Sequence, residues 1–384
     1  MINGDSVHGT PNQLAYWRLM GKLPPEGALA TGIAYSAKDT LEVGEPLNFK
    51  IAFKNISDAA FDSLDVALVI TDQNNTTITL PVKKQKPLVS GDTVLFNYPV
   101  DTKKLVGNNT LFINFNPGQA QPEQYLFNNF LYKNFYVKGD GYAPTLDVTF
   151  DGVHILNRDL VSSKPHVMIK LKDNNKYLLL NDTSLLNVKL KYPDGTLKTF
   201  MFDNDTLRFT PSTVNQGADG NMATIDFFPF LPEDGEYELI VKGEDKSGNK
   251  AGVIEYKVTF MVINKSMISN LLNYPNPFTT STAFVFTLTG SQIPQNMRIQ
   301  IMTVTGKIVR EITQQELGPI HVGRNITEFK WDGTDQYGQK LGNGVYLYRV
   351  ITNLNGKSIE KYKEESGQTD KYFKSGYGKM YLMR

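Results

Sequence analysis

The stretch Asn273–Leu288, NYPNPFTTSTAFVFTL, decides how the C-terminal part of this chain is read. It sets Pro275 and Pro277 two residues apart and then alternates apolar with polar side chains. Proline fixes φ and lacks a backbone donor, and it drives the residue before it toward extended geometry. Such a pair fits the entry of an edge strand, where a missing N–H faces solvent and foreign strands are discouraged from pairing. The expectation is a chain delivered already extended into the opening edge strand of a β-sandwich.

The rest of the sequence supports that class. The 384 residues are too many for one ordinary core and point to two or three domains of about 100–150 residues. With 22 Phe, 19 Tyr, 31 Gly and 19 Pro, the composition favours pleated, half-buried strands and frequent turns. Helical periodicity is confined to Asn12–Gly21, where Leu14, Trp17 and Met20 share a side. The 40 basic and 39 acidic residues nearly cancel, so no global field draws the molecule to nucleic acid. The absence of cysteine excludes a disulfide framework, a zinc–thiolate centre and a thiol nucleophile within the chain. No apolar run reaches the length of a transmembrane helix, and the N-terminus lacks the pattern of a signal peptide.

Period-2 patterning then divides the chain. Leu47, Phe49, Ile51 and Phe53 are expected inward on one strand, and Leu64, Val66, Leu68 and Ile70 on the next. The aromatic-rich QYLFNNFLYKNFYVKG closes this first block and reads as a strand whose outer face packs on the next domain. Single-strand nucleic-acid stacking is the alternative, which the charge balance disfavours. Gly139–Gly141 reads as a linker. In the second block, YPDGTLKTF signals a hairpin, with Asp194-Gly195 expected in a tight primed turn. The division is a segment 1–27 with the possible short helix, then sandwiches over 28–139, 140–266 and 267–384: an all-β chain of three consecutive Ig-like β-sandwich domains.

The last block resembles a known frame. Pro275-Asn276-Pro277-Phe278, the turn at Gly306 in TGKIV, Trp331-Asp332-Gly333 with Asp335, and Gly344 with Tyr346 and Tyr348 resemble, in order, the FlgD-like Ig domain of flagellar hook-capping proteins and type IX secretion sorting domains. The first block is similar to CARDB-type adhesion modules, with its paired NNF, and the second to bacterial Ig-like domains through YELIVKGEDKSGNKAG. The three together resemble the C-terminal region of PorU-like proteins of the gingipain cysteine-peptidase family. In that family the peptidase domain lies upstream of such modules. The chain departs from cleaved sorting domains by a Lys-rich insertion, Lys357 to Lys379, before the last strand, as in the sortase-like members.

Candidate sites are few. Asp332 and Asp335 in WDGTDQYG, and Asp203 and Asp205 in FDNDTLRF, can be read as calcium loops. Each lacks the six to eight oxygens calcium takes, and Asx turns explain the spacing. The same holds for GEDKSGN, Gly243 to Asn249. His154 and His166 would meet on neighbouring strands as a metal pair only with a third ligand, which the sequence does not supply. No nucleophile elbow accompanies the four histidines. Trp331 is expected as a core anchor beside Phe329, with a sugar-stacking platform as the alternative. Tyr346 and Tyr348 alternate with Val345 and Leu347, so one pair faces inward and the other forms an exposed ridge for docking. The Lys357–Lys379 insertion reads as a solvated hairpin or a contact to lipopolysaccharide phosphate.

These readings lead to a non-catalytic surface or secreted protein without a resident cofactor. Its last domain would present an edge strand and an aromatic face to the type IX translocon or to an outer-membrane shuttle protein. The alternatives are an accessory part of a gingipain-type peptidase or sortase whose catalytic domain lies outside this chain, and an adhesin or carbohydrate-binding protein.

Overall fold

The computed structural model describes residue 18, residues 21–203, 205–213, 220–353, 360–361 and 377–384. The expected helix over Asn12–Gly21 and most of the Lys-rich insertion lie outside the described residues. Among the described residues helix is limited to Thr183–Leu185 and Gln314–Leu317, and no helix is long and apolar enough to cross a membrane. The protein is all-β, with six sheets that stack as three Ig-like sandwiches. It divides into two compact units, Met1–Asp140 and Gly141–Arg384.

In the first unit, Leu47–Asn55 is the axis of a four-stranded sheet and pairs with Thr93–Val100, Gly27–Leu29 and Tyr35–Ser36. Facing it is a six-stranded sheet built on Gly107–Phe115, between Phe130–Lys138 and Asp65–Thr71. The alternation expected from sequence holds: Leu47, Phe49, Ile51, Phe53, Leu64, Val66, Leu68 and Ile70 are all buried. Phe53 from one sheet stacks on Phe115 from the other at 4.5 Å and 5°, while Phe96 meets Phe115 edge-on at 5.8 Å. Such pairs add to the area each ring removes from water.

The second unit holds two sandwiches. One sets Val167–Asp173 and its neighbours against a sheet centred on Gly235–Gly243, with Phe150 edge-on to Phe260 at 5.2 Å in its core. The hairpin over YPDGTLKTF is present, pairing Leu186–Lys191 with Leu197–Phe200, but its turn is not the primed type expected. The Gly195 N–H donates to the Tyr192 carbonyl at 2.9 Å, and of the turn residues only Gly195 has positive φ, at 87°. Pro193 sits at the first central position and locks φ negative, so the turn is type I with glycine closing a bulge. Gly306, φ 90°, closes the turn from Thr303 to Lys307 in the same way.

The last sandwich stacks two sheets. One runs Gly323–Ile326, Ala283–Leu288, Met267–Tyr274, Glu360–Lys361; the other runs Ile308–Ile312, Gln295–Thr303, Gly344–Asn353, Gly378–Leu382. Here the reading of the opening stretch needs correction. Ala283–Leu288 is an interior strand, hydrogen-bonded on both sides, and all of its residues are buried. Pro275 and Pro277 belong to no strand. They lie after Met267–Tyr274, in a connection that leaves one sheet and runs along the other.

Phe115→Ala would empty the contact between the two sheets of the first sandwich. It is expected to cost about 3–5 kcal/mol, seen as an earlier urea midpoint for that unit; a loss under about 1 kcal/mol would contradict the packing.

Candidate recognition site

The connection Tyr274–Phe278 lies against the outer edge of Gly378–Leu382. The Asn276 side chain donates to the Lys379 carbonyl at 3.0 Å and accepts from the Tyr381 N–H at 2.9 Å. Phe278 then donates to the Tyr381 carbonyl at 3.0 Å and accepts from the Met383 N–H at 2.9 Å. Residues 379, 381 and 383 are those whose backbone groups point away from Gly344–Asn353, so the strap satisfies the edge in the way a further strand would. The prolines flank Asn276 and supply no donor to this pairing.

Past the strap the chain turns inward. The Phe278 ring is buried 5.6 Å from the ring of Trp331, which is fully buried and meets Tyr346 edge-on at 5.6 Å. The Trp331 indole donates to the Thr334 carbonyl at 2.8 Å, and the Tyr346 hydroxyl to the Gly342 carbonyl at 2.7 Å. Each aromatic thus buries its ring and satisfies its polar tip. Trp331 is the core anchor expected. Of the two alternating pairs, Tyr346 and Tyr348 are the one that faces inward, and Val345 and Leu347 between them are half-buried, so no exposed aromatic ridge forms. Tyr348 packs edge-on to Phe284 at 5.2 Å. Burial pushes its phenol far above the ordinary range, against a lowering hydrogen bond with the Asn273 backbone.

Thr282 joins these parts and was not singled out by sequence reasoning. It is fully buried. Its hydroxyl donates to the Pro275 carbonyl at 2.8 Å and accepts from the Asn273 amide at 3.0 Å. Its backbone exchanges two hydrogen bonds of 2.9 Å with Trp331. A threonine in a run of threonines and serines carries no sequence signal of such a role.

The motif WDGTDQYG closes the opposite edge of the same sheet. The Gln336 N–H donates to the Val309 carbonyl at 2.9 Å, and its side-chain oxygen accepts from the Glu311 N–H at 3.1 Å. The carboxylates that read from sequence as a calcium loop shape the turn that presents Gln336. Asp332 accepts from the Thr334 N–H and hydroxyl at 3.1 and 2.7 Å, and Asp335 from the N–H groups of Tyr337 and Gln339 at 2.9 and 2.8 Å. Gly333, Gly338 and Gly344 take positive φ of 76°, 80° and 156°. Burial works to raise the pKa of Asp332, yet the hydrogen bonds from Thr334, with the nearby Arg384, hold it below the ordinary carboxylate range.

The remaining candidates serve local turns. Asp203 accepts from the N–H groups of Asp205, Thr206 and Leu207, and Asp245 from Ser247, Asn249 and the Asn249 amide. His154 and His166 each face their own carboxylate, Asp147 at 2.6 Å and Asp226 at 2.7 Å. In the first unit the paired Asn128 and Asn129 donate to Glu26 and Glu123 at 3.0 and 2.7 Å. Burial raises the Glu123 pKa despite hydrogen bonds from Asn116 and Asn129.

The sequence matches no protein-family model and no curated protein. Among solved structures it is similar to dimeric latent PorU from Porphyromonas gingivalis, at 15% identity and TM-score 0.25, over 94% of this chain and 34% of that one. The chain therefore spans about a third of that protein's length. It is similar to the CARDB domain of PF1109 from Pyrococcus furiosus at 14% identity and TM-score 0.25, over 30% of this chain and 98% of that one. It is also similar to an ectodomain fragment of ICAM-5 at 11% identity and TM-score 0.22, over 93% and 76% of the two chains.

Thr282→Val keeps the shape of Thr282 and removes its hydroxyl. It is expected to cost about 1–3 kcal/mol, measured by chemical denaturation; an unchanged midpoint would contradict the bridging role. Asp332→Asn retains the Asx turn without the charge. A depressed folded-state pKa stabilises above the unfolded value, and that contribution disappears as pH falls through the folded one. The stability difference between wild type and Asp332→Asn should be constant above about pH 5 and shrink toward zero below about pH 4. A difference that grows on acidification would contradict the assignment.

Proposed function

We propose that this chain is a non-catalytic part of an exported cell-surface or secreted protein, and that its last sandwich is a handle recognised in folded form by a type IX translocon or an outer-membrane shuttle protein. The observation that carries the reading is the closure of both edges of one sheet by the segments that hold the resemblance. A module closed in this way resists unplanned strand addition and has to be read from its outer surface.

This closure leaves Gly378–Leu382 no free edge for strand addition, and Tyr346 and Tyr348, buried in the core, present no aromatic face. The strap offers a replacement. Tyr274 is 72% exposed, Pro275, Asn276 and Pro277 are exposed beside it, and Tyr381, whose N–H Asn276 binds, is 39% exposed. A rigid ridge with a tyrosine at each side loses little entropy on being held, which suits a recognition surface.

The full-length protein, produced in a bacterium with a working type IX system, is expected to reach the cell surface and to stay in the periplasm when the translocon is deleted. The Tyr274→Ala, Tyr381→Ala double variant should fold normally and show at least a severalfold drop in surface labelling. Surface delivery that is equal with and without the translocon would overturn the reading.

A further inference from the structure

The outer face of the six-stranded sheet in the first unit carries chemistry that neither the core nor the export reading uses. Alternation turns the even-numbered residues of Gly107–Phe115 and Phe130–Lys138 to solvent. On the first of these strands the outward residues from 108 to 114 are Asn, Thr, Phe and Asn, and on the second, from 130 to 136, Phe, Tyr, Asn and Tyr. None of these is charged, and Ala67, Val69 and Thr71 on the third strand continue the neutral patch, with charged residues at its two ends, Glu42 and Lys138 at one and Asp65 and Lys84 at the other. Other sheets carry charge at mid-strand on their outer faces, Lys50 in the opposite sheet of the same sandwich and Lys170 and Lys189 in the next sandwich.

The aromatic residues form one cluster. Phe112 lies 4.7 Å from Tyr132 and 5.8 Å from Phe130, with interplanar angles of 33° and 48°. Tyr132 is 63% exposed and Phe130 39%, so the rings are paid for by no burial of their own. Beside them Phe112, Asn114, Gln119, Leu126, Phe130 and Tyr132 bound a groove of about 250 Å³. That is smaller than the roughly 300–1,000 Å³ of a drug-sized site and suits a small ring. The amides of Asn114 and Gln119 engage no other side chain or backbone group among the described residues. Each offers donors and an acceptor together.

We infer that this face binds a neutral saccharide, with Tyr132 and Phe130 stacking on the C–H face of a sugar ring and Asn114 and Gln119 hydrogen-bonding its hydroxyls. The chemistry selects this ligand over the other occupants. Phosphate-bearing nucleic acid or lipid needs cations, and no Lys or Arg lines the groove. An apolar protein surface would bury the amides without partners, at a cost of about 1–3 kcal/mol each. A hydroxyl-rich, uncharged ring with one apolar side matches both halves of the groove. The inference is independent of the export reading, since it concerns the first unit.

The test is an array of neutral hexose and N-acetylhexosamine oligosaccharides probed with the full chain, followed by calorimetric titration of the best binder against wild type, Tyr132→Ala and Asn114→Ala. Binding is expected for at least one neutral glycan, with little change between low and high salt. Each substitution should weaken it about tenfold while leaving the melting temperature in place. Three results would overturn the inference: no neutral glycan bound, affinity unchanged in both variants, or a dimer in solution that Tyr132→Ala dissociates, which would assign the face to a second copy of the chain.

Discussion

The last sandwich depends on the pairing of Asn276–Phe278 with the outer edge of Gly378–Leu382. The segments are about a hundred positions apart in sequence, with separations of 103 and 105 residues for the two Asn276 contacts. Closing that distance is entropically costly and is offset by what the strap brings together. It satisfies four backbone groups of an exposed edge and carries Phe278 into the core beside Trp331. Through Thr282 it also ties the two sheets at one end, since that hydroxyl bridges Pro275 and Asn273 while the backbone pairs with Trp331.

The second edge of the same sheet follows the same logic with different residues. Gln336, presented by a loop that Asp332 and Asp335 shape, pairs with Val309 and Glu311. Residues that look from sequence like recognition signals or calcium ligands thus have structural work first. A four-stranded sheet needs both ends protected, and short covering loops do this without lengthening the sheet. What these loops leave exposed on their far side is, around the strap, Tyr274 to Pro277 with Tyr381.

The fold class and much of the first core were legible in the sequence, because period-2 burial is a local property: Leu47 to Phe53 and Leu64 to Ile70 point inward as their spacing requires. Trp331 was legible as an anchor for a similar reason, being a large ring at a strand–turn junction. What was not legible depended on partners far along the chain. The alternation in Ala283–Leu288 suggested a half-exposed edge strand, yet strands on both sides and the opposite sheet bury it completely. Which pair of Gly344–Asn353 faces inward is decided by the stacked sheet, through contacts such as Tyr348 on Phe284. Thr282 is a buried polar residue whose partners come from three segments, and no local pattern marks it. The helix Gln314–Leu317 is a single turn, too short for periodicity to reveal.

The most direct measurement of this account is amide hydrogen exchange at Tyr381 and Met383. If the strap closes the edge, both amides exchange as slowly as those of the interior strand Ala283–Leu288. Exchange at the rate of an open, solvent-facing edge, with the neighbouring core amides still protected, would contradict it.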